Sequence, residues 1–413
     1  MFYLSECLIC RFHVRPKYTA RKGFFQSHLL DLGGLQYTTV MFLNMRSVSV
    51  EDAREIGASF AELAVRSNLF PRSPVHVHAI VSPASGFFRH PVQVQETLSW
   101  LRMIVLDTAL AVEPNPESRV SVHIARYKGH PGILAGEIVE TLILREGIQG
   151  DPPYHFILSL GGDGTHQEIL NTLVDLPQEV LERIIVFRLP MGTGNDGADV
   201  EDLASAAKCL LGEGRFGEVG SLRIQPKGLK GIYAFNIASI GIDAFVTHTA
   251  NQLKTRFNTD IYRKIADVSV LFYPFLFPTR TLEMEITLTD GRVEQVSGKY
   301  VLAAFGVSGH RSYGNHKWIL PGEENLCAIL DRSLGKKLKL KNLLYTGKHV
   351  REEGVLVRKA RRVRLHYDAS LFLQYDGEAI RLEKENFPCG IEIVSTRIRT
   401  LNYRFSSPTP ASK

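Results

Sequence analysis

The sequence predicts an α/β fold: a parallel sheet with helices on both faces, followed by a domain of mostly antiparallel β structure. Two observations predict it. From Val75 to about residue 220, short apolar strands alternate with segments of helical spacing, and the strands end in turn-forming clusters. Strand, turn and helix repeated in this way build a parallel sheet. Beyond about residue 220, strand follows strand with hairpin signals between them and little helix. The 413 residues hold about two or three domains.

Each element of the first domain, residues 75–222, follows from local pattern. His76–Val81 is a short apolar strand closing at Ser82-Pro83-Ala84-Ser85-Gly86, and Gln93–Leu110 has helical spacing. Val120–Ala125 and Gly132–Glu146 are the next strand and helix, then Tyr154–Leu160 and His166–Leu176, then Ile184–Leu189. Helix Val200–Leu211 is stopped by Gly212 and Gly214. The second domain, residues 223–400, is entered through strand Ser221–Ile224. It adds strands Tyr233–Ala238, Leu282–Thr289, Gln295–Ala304, Leu326–Leu330, Val355–Val357, Val363–Tyr367, Leu371–Tyr375 and Ile391–Ser395. Asp290-Gly291 and Asp376-Gly377 are its turn signals, and a helical stretch near Asp260–Phe272 interrupts it. Its last strand is expected to return to the first domain, and Ser406–Lys413 reads as a polar tail.

Residues 1–45 stand apart. Arg11, Arg15, Lys17, Arg21 and Lys22 are set against only two acids, Glu6 and Asp31, with no periodicity. They read as a basic, disordered tail, or as sequence ahead of a true start at Met41 or Met45; a secretory signal would need an apolar core that does not follow. Five scattered cysteines (Cys7, Cys10, Cys209, Cys327, Cys389) indicate reduced thiols in a cytoplasmic setting rather than a disulfide framework. No apolar run approaches the roughly 18 residues a bilayer requires; the densest, Val270–Phe277, is broken by Pro274. The net charge of +6 is concentrated at Lys336–Lys341 and Lys348–Arg364 and suits an anionic partner, nucleotide or acidic lipid surface. His76 and His78 alternate along a strand and read as structural.

Two glycine-rich loops carry the chemistry. Gly161-Gly162-Asp163-Gly164-Thr165 follows a strand directly, so its backbone can turn sharply and present N–H groups, with the next helix's positive end, to an anion. Asp163 is placed to hold a phosphate-bound Mg²⁺ or accept a proton. Thr165 and Glu168 have the spacing of a capping box. Gly192-Thr193-Gly194-Asn195-Asp196 repeats the arrangement after the next strand. Loops at adjacent strand ends share one crevice, and two carboxylates near a polyphosphate favour Mg²⁺. No G-x-x-x-x-G-K-[ST] or G-x-G-x-x-G motif occurs, which excludes P-loop chemistry and the Rossmann dinucleotide fingerprint.

GGDGT followed about thirty residues later by GTGND resembles the diacylglycerol kinase catalytic family, which includes bacterial diacylglycerol kinases and sphingosine kinases. The likeness runs from about Val75 to Ile398. Ser82–Gly86 is similar to the family's first nucleotide loop, Gly129-His130 to the segment after its second strand, and Asn236–Ala244 to its entry into the second domain. Gly347-Lys348-His349 and Asp376-Gly377-Glu378 resemble late motifs in the right order. The resemblance implies a Rossmann-like nucleotide domain, a β-sandwich lipid-substrate domain, and a site in the cleft between them. It implies ATP bound by Ser82, Ser85, Gly86, Gly161–Thr165, Glu168 and Gly192–Asp196, and Mg²⁺ held by Asp163 and Asp196. Asp376 or Glu378 would take the proton of a lipid alcohol.

The family pattern is departed from at Ser82, Ala125 and Gly197, and its second-domain metal loop becomes Glu323-Glu324-Asn325, with Glu324 the remaining ligand candidate. The expected partners are ATP, a lipid alcohol and a peripheral membrane surface at the inner face, with a homodimer compatible and no nucleic acid. Diacylglycerol leads as acceptor. A sphingoid base, NAD as in NAD kinases, or a regulatory module that binds without turnover are the alternatives.

Overall fold

The computed structural model describes residues 48–70, 73–142, 153–193, 195, 200–254, 280–313 and 317–403. The basic segment 1–45 with Cys7 and Cys10, Gly194, Asp196 and Gly197, the stretch Asp260–Phe272, the run Val270–Phe277 and the tail Ser406–Lys413 lie outside them.

Strands β1 (Val75–Val81), β2 (Arg119–Ile124), β3 (Tyr154–Gly161) and β4 (Ile184–Pro190) pair in parallel in the order β2-β1-β3-β4. Period-two alternation sends Val77, Ala79 and Val81 into one core and Ile80, Ile157 and Val186 into another. Helices α1 (Val50–Val65), α2 (Pro91–Ala111) and α6 (Leu203–Lys208) pack into the first core. Helices α3 (His130–Thr141), α4 (Asp163–Leu173) and α5 (Gln178–Leu181) pack into the second. With both faces covered, the strands are near-continuous apolar runs.

Local differences from expectation have local causes. Helix α1 precedes the predicted elements. Ser49 caps it by accepting the Asp52 N–H at 3.0 Å while Asp52 accepts the Ser49 N–H at 2.9 Å. Helix α4 begins at Asp163, three residues before the predicted His166, because Gly162 is extended (φ −88°, ψ −174°) and serves as N-cap without a side-chain bond. Thr165 is therefore not a cap. It lies in the first turn, and a Cβ on Gly161 would sit 2.4 Å from its Oγ1. The predicted strand Tyr233–Ala238 divides into β6 (Ile232–Ala234) and β7 (Ile237–Gly241), the latter followed by helix α7 (Ile242–Lys254).

The second layer pair is a sandwich. One sheet, entirely antiparallel, runs β14 (Val355–Arg358), β13 (Leu326–Leu330), β10 (Tyr300–Gly306), β7, β16 (Leu371–Tyr375) and β17 (Glu378–Leu382). It faces β8 (Leu282–Leu288), β15 (Ala360–His366) and β18 (Cys389–Tyr403) across a core containing Ile240, Phe305, Leu373, Met284, Val363 and Ile391. Beyond β8 the hairpin partner β9 (Val293–Gly298) closes that sheet.

Strand β18 belongs to both domains. Its early residues pair with β15 (Ile391 with Val363), and Arg399 and Thr400 pair in parallel with Ile185 and Val186 of β4. Strand β5 (Gly214–Gln225) runs antiparallel along its whole length, with a register shift between Ser395 and Arg399 and a positive φ of 59° at Arg397. Such a bulge bends a strand without ending it.

Four histidines occupy adjacent strands of the parallel sheet. His78 Nδ1 lies 3.4 Å from His123 Nε2, and His78 Nε2 lies 3.1 Å from His155 Nδ1, while the His76 ring meets that of His155 edge-on. Burial, reinforced by the neighbouring imidazoles, holds the His78 pKa down at about 3. His78 is thus charged below about pH 6.5 when unfolded but neutral when folded, so its contribution is complete above pH 6.5 and is lost as pH falls toward 3. The slope is at most about 1.4 kcal/mol per pH unit. His78→Gln keeps a hydrogen-bonding side chain and should flatten the acid limb of urea-unfolding free energy by close to one proton. An unchanged slope would move the acid sensitivity elsewhere.

Candidate functional site

The carboxyl ends of β1, β2, β3 and β4 open into a cleft of about 1180 Å³ whose opposite wall is the sandwich. On the parallel-sheet side the loops meet at their glycines. A Cβ on Gly192 would lie 2.7 Å from Gly162 Cα, and one on Gly86 would lie 2.4 Å from Thr193 Oγ1. Asn195, at φ 52°, accepts the Gly192 N–H at 2.7 Å and donates to the Pro190 carbonyl at 3.2 Å, fixing its turn. Ser82, Gly162, Asp163, Gly164, Thr165, Glu168 and Thr193 line the cleft. Gly161, Ser85, Gly86, Gly192 and Asn195 are not among the lining residues; they buttress these loops.

Asp376 and Glu378 line the cleft from the sandwich. Asp376 and Gly377, at φ 47° and 91°, form the tight turn joining β16 to β17. The same turn aims the Asp376 carboxylate at a bend in the chain between β6 and β7. Oδ1 accepts the N–H groups of Asn236 (3.0 Å) and Ile237 (2.9 Å), and Oδ2 accepts that of Phe235. A carboxylate has about four lone-pair sites, so one remains, on Oδ2. Burial raises its pKa to about 6, the backbone N–H bonds pull it down, and the negative charge of Asp163 adds to the rise. Burial wins because the group lies deep between two walls.

The other carboxylates are engaged too. Glu378 pairs with Lys128 across the mouth of the cleft at 2.5 Å. Glu168 accepts the Gly129 N–H at 2.9 Å, and burial raises its pKa. Asp163 pairs with Arg188, whose side chain is only 4% exposed. Glu218 accepts Ser395 Oγ and the Arg397 N–H. His166, deeply buried beside Arg188, is held well below its ordinary pKa by burial and then by that cation, so it is neutral.

These contacts bear on Mg²⁺. Each carboxylate lining the cleft already has a donor from the chain, Asp163 a full cation. Among the described residues no three His, Cys, Asp or Glu side chains converge as metal ligands. Glu324 is exposed between β12 (Lys317–Leu320) and β13, and is not among the cleft-lining residues. The described residues do not fit a protein-held Mg²⁺. Sequence reasoning missed Arg188 and Lys128. Arg188 had a readable signal, a lone charge in the apolar strand Ile184–Pro190; such a charge needs a partner. Lys128 had none.

Comparison with known proteins agrees with this geometry. Residues 116–211 match the family model for the diacylglycerol kinase catalytic domain, and residues 236–399 match that for the YegS C-terminal NAD kinase beta sandwich-like domain. A diacylglycerol kinase of Bacillus subtilis (strain 168) is 28% identical over 238 residues, 54% of this chain and 71% of that protein. One from Staphylococcus carnosus (strain TM300) is 24% identical over 255 residues, covering 58% and 74%. The crystal structure of a proposed diacylglycerol kinase from Bacillus anthracis str. Sterne has the same fold, with TM-score 0.50, 19% identity, and coverage of 80% of this chain and 97% of that one.

The two sandwich acids should separate by stability. Asp376→Asn turns an NH₂ group toward backbone donors and is expected to cost about 1–3 kcal/mol in urea unfolding at neutral pH. Glu378→Gln breaks a largely exposed pair and should cost under about 1 kcal/mol. The reverse order would remove Asp376 from its anchoring role.

Proposed function

Since the chain belongs to the diacylglycerol kinase catalytic domain family, we propose that it is an ATP-dependent lipid kinase. It transfers the γ-phosphoryl group of ATP to the hydroxyl of a lipid alcohol, diacylglycerol foremost, giving phosphatidic acid. One observation carries the reading: Asp376, with its remaining lone pair and a pKa of about 6, faces the glycine loops across one cleft.

In this reading the N–H groups at the start of α4, with Thr193, receive the phosphates of ATP. The lipid hydroxyl approaches from the sandwich side and gives its proton to Asp376 Oδ2. Its oxygen forms the new bond to the γ-phosphorus, and the bond to the bridging oxygen breaks, leaving ADP with that electron pair. Asp376 suits this better than Glu378 because its pKa is near the working pH and its carboxylate is held by the backbone, whereas Glu378 is occupied by Lys128. Most of the rate comes from positioning and charge stabilisation.

In this reading the acceptor is met as a peripheral contact at a membrane surface; no helix among the described residues is long and apolar enough to cross a bilayer. The basic runs contribute less to that contact than their sequence suggests. Lys337 pairs with Asp331, Lys339 with Glu352, Arg358 with Glu294 and Lys359 with Glu323.

Transfer of radiolabelled γ-phosphate from ATP to a lipid extract, with NAD as parallel acceptor, tests the proposal. Label is expected in a lipid and not in NAD. Label in NAD alone would overturn it, and ATP binding with no transfer to either would favour a regulatory module. For the active enzyme, kcat/KM should rise with pH through about 6, as a base of that pKa deprotonates. Glu378→Gln should keep this inflection and Asp376→Asn should lose turnover; the opposite result would make Glu378 the base.

A further inference from the structure

Arg188 is a buried cation out of balance with its surroundings. It sits on β4 at the floor of the cleft with its side chain 4% exposed. A guanidinium carries five N–H donors. Among the described residues, the one hydrogen-bond acceptor it has is the Asp163 carboxylate, through Nη2, and Nε is buried with no acceptor at all. Unmet buried donors on a charged group are costly. Beyond Asp163, the nearby groups described give it no acceptor: His166 is neutral, and the Asp376 carboxylate takes three backbone N–H groups.

The start of α4 adds unpaired donors to the same place. Gly162 offers no side-chain cap, so the first N–H groups of this eleven-residue helix are left for a ligand. Gln167 Nε2, on a residue lining the same cleft, is a further buried donor without a partner; Asn236 Oδ1 and Glu168 Oε2 are unpaired acceptors there. Arg188 and the start of α4 thus present donors suited to an anion with several acceptor oxygens, and the acid beside them, Asp163, is already paired.

We propose that Arg188, oriented by Asp163, is the cation that binds the phosphate chain of the nucleotide, so that Asp163 acts as a positioning residue for Arg188 and not as a Mg²⁺ ligand. The inference rests on the proposed function for the identity of the ligand, but assigns the phosphate-reading charge to a different side chain. A guanidinium suits this task because its planar fork matches phosphate oxygens at two points. A lysine at the same position would offer a point charge on a shorter reach.

Calorimetric titration of the full chain with ATP, in excess EDTA and then in excess Mg²⁺, distinguishes the two roles. Wild-type protein is expected to bind ATP in EDTA. Arg188→Lys, checked for a native near-UV spectrum, should weaken that binding about tenfold or more. Asp163→Asn keeps an oxygen that accepts from Arg188 while removing a negative charge beside the phosphates, so it should bind ATP in EDTA at least as tightly as wild type. Its ratio of affinities with and without Mg²⁺ should also be unchanged. Wild-type affinity in a folded Arg188→Lys protein would overturn the assignment, as would loss of a Mg²⁺-dependent gain in Asp163→Asn. If Arg188→Lys does not fold, Arg188→Gln takes its place, with the same loss of ATP binding expected and wild-type affinity overturning the assignment. ATP binding that ignores Arg188 would leave the kinase reading standing. Wild-type protein that binds no ATP with or without Mg²⁺ would sink both.

Discussion

The cleft depends on one continuous strand. Strand β18 is a member of the sandwich at Ile391 and of the parallel sheet at Thr400, so the two domains share a hydrogen-bonded backbone as well as a contact surface. The bulge between Ser395 and Arg399 bends the strand where it passes from one to the other. Strand β5 doubles it throughout. The angle between the walls is thereby set by backbone geometry, and the distance from the glycine loops to the Asp376 turn follows from it. A catalytic pair drawn from two domains otherwise needs a closing motion to bring it together.

Within that frame, the cleft is polar and its acids are restrained. Asp376 is held by three backbone donors, Glu168 by Gly129, Glu378 by Lys128 and Asp163 by Arg188. Restraint of this kind lowers the reorganisation needed when a charged ligand arrives, because the dipoles already point where they will be used. It also separates roles. The carboxylate with a spare lone pair and a raised pKa is suited to move a proton, whereas those bound to cations shape the field around it.

Legibility in the sequence followed the range of the interaction. Strands β1, β3 and β4 were readable because an apolar run flanked by turn residues is a local pattern. The glycine turns after β3 and β4 were readable because a sharp turn after a strand demands glycine. Helix α1 was signalled by Ser49-x-x-Asp52 but was not read. The start of α4 was misplaced because Thr165 and Glu168 have capping-box spacing while the backbone at Gly162 had already turned. The Lys128–Glu378 pair, 250 residues apart, left no trace in either segment.

The sequence by itself determined the class of fold, the order of the two domains, the sharp glycine turns after the strands and the positions of the acids. All of these rest on short-range rules of backbone conformation and side-chain periodicity. Only the tertiary structure decided which partner each acid has. A carboxylate's role depends on which donors reach it and how deeply it is buried, and those neighbours come from distant segments: Arg188 to Asp163, Phe235–Ile237 to Asp376, Lys128 to Glu378. The glycine turn that the sequence offered as a metal-binding phosphate loop is, in three dimensions, a turn whose acid is already bound to an arginine.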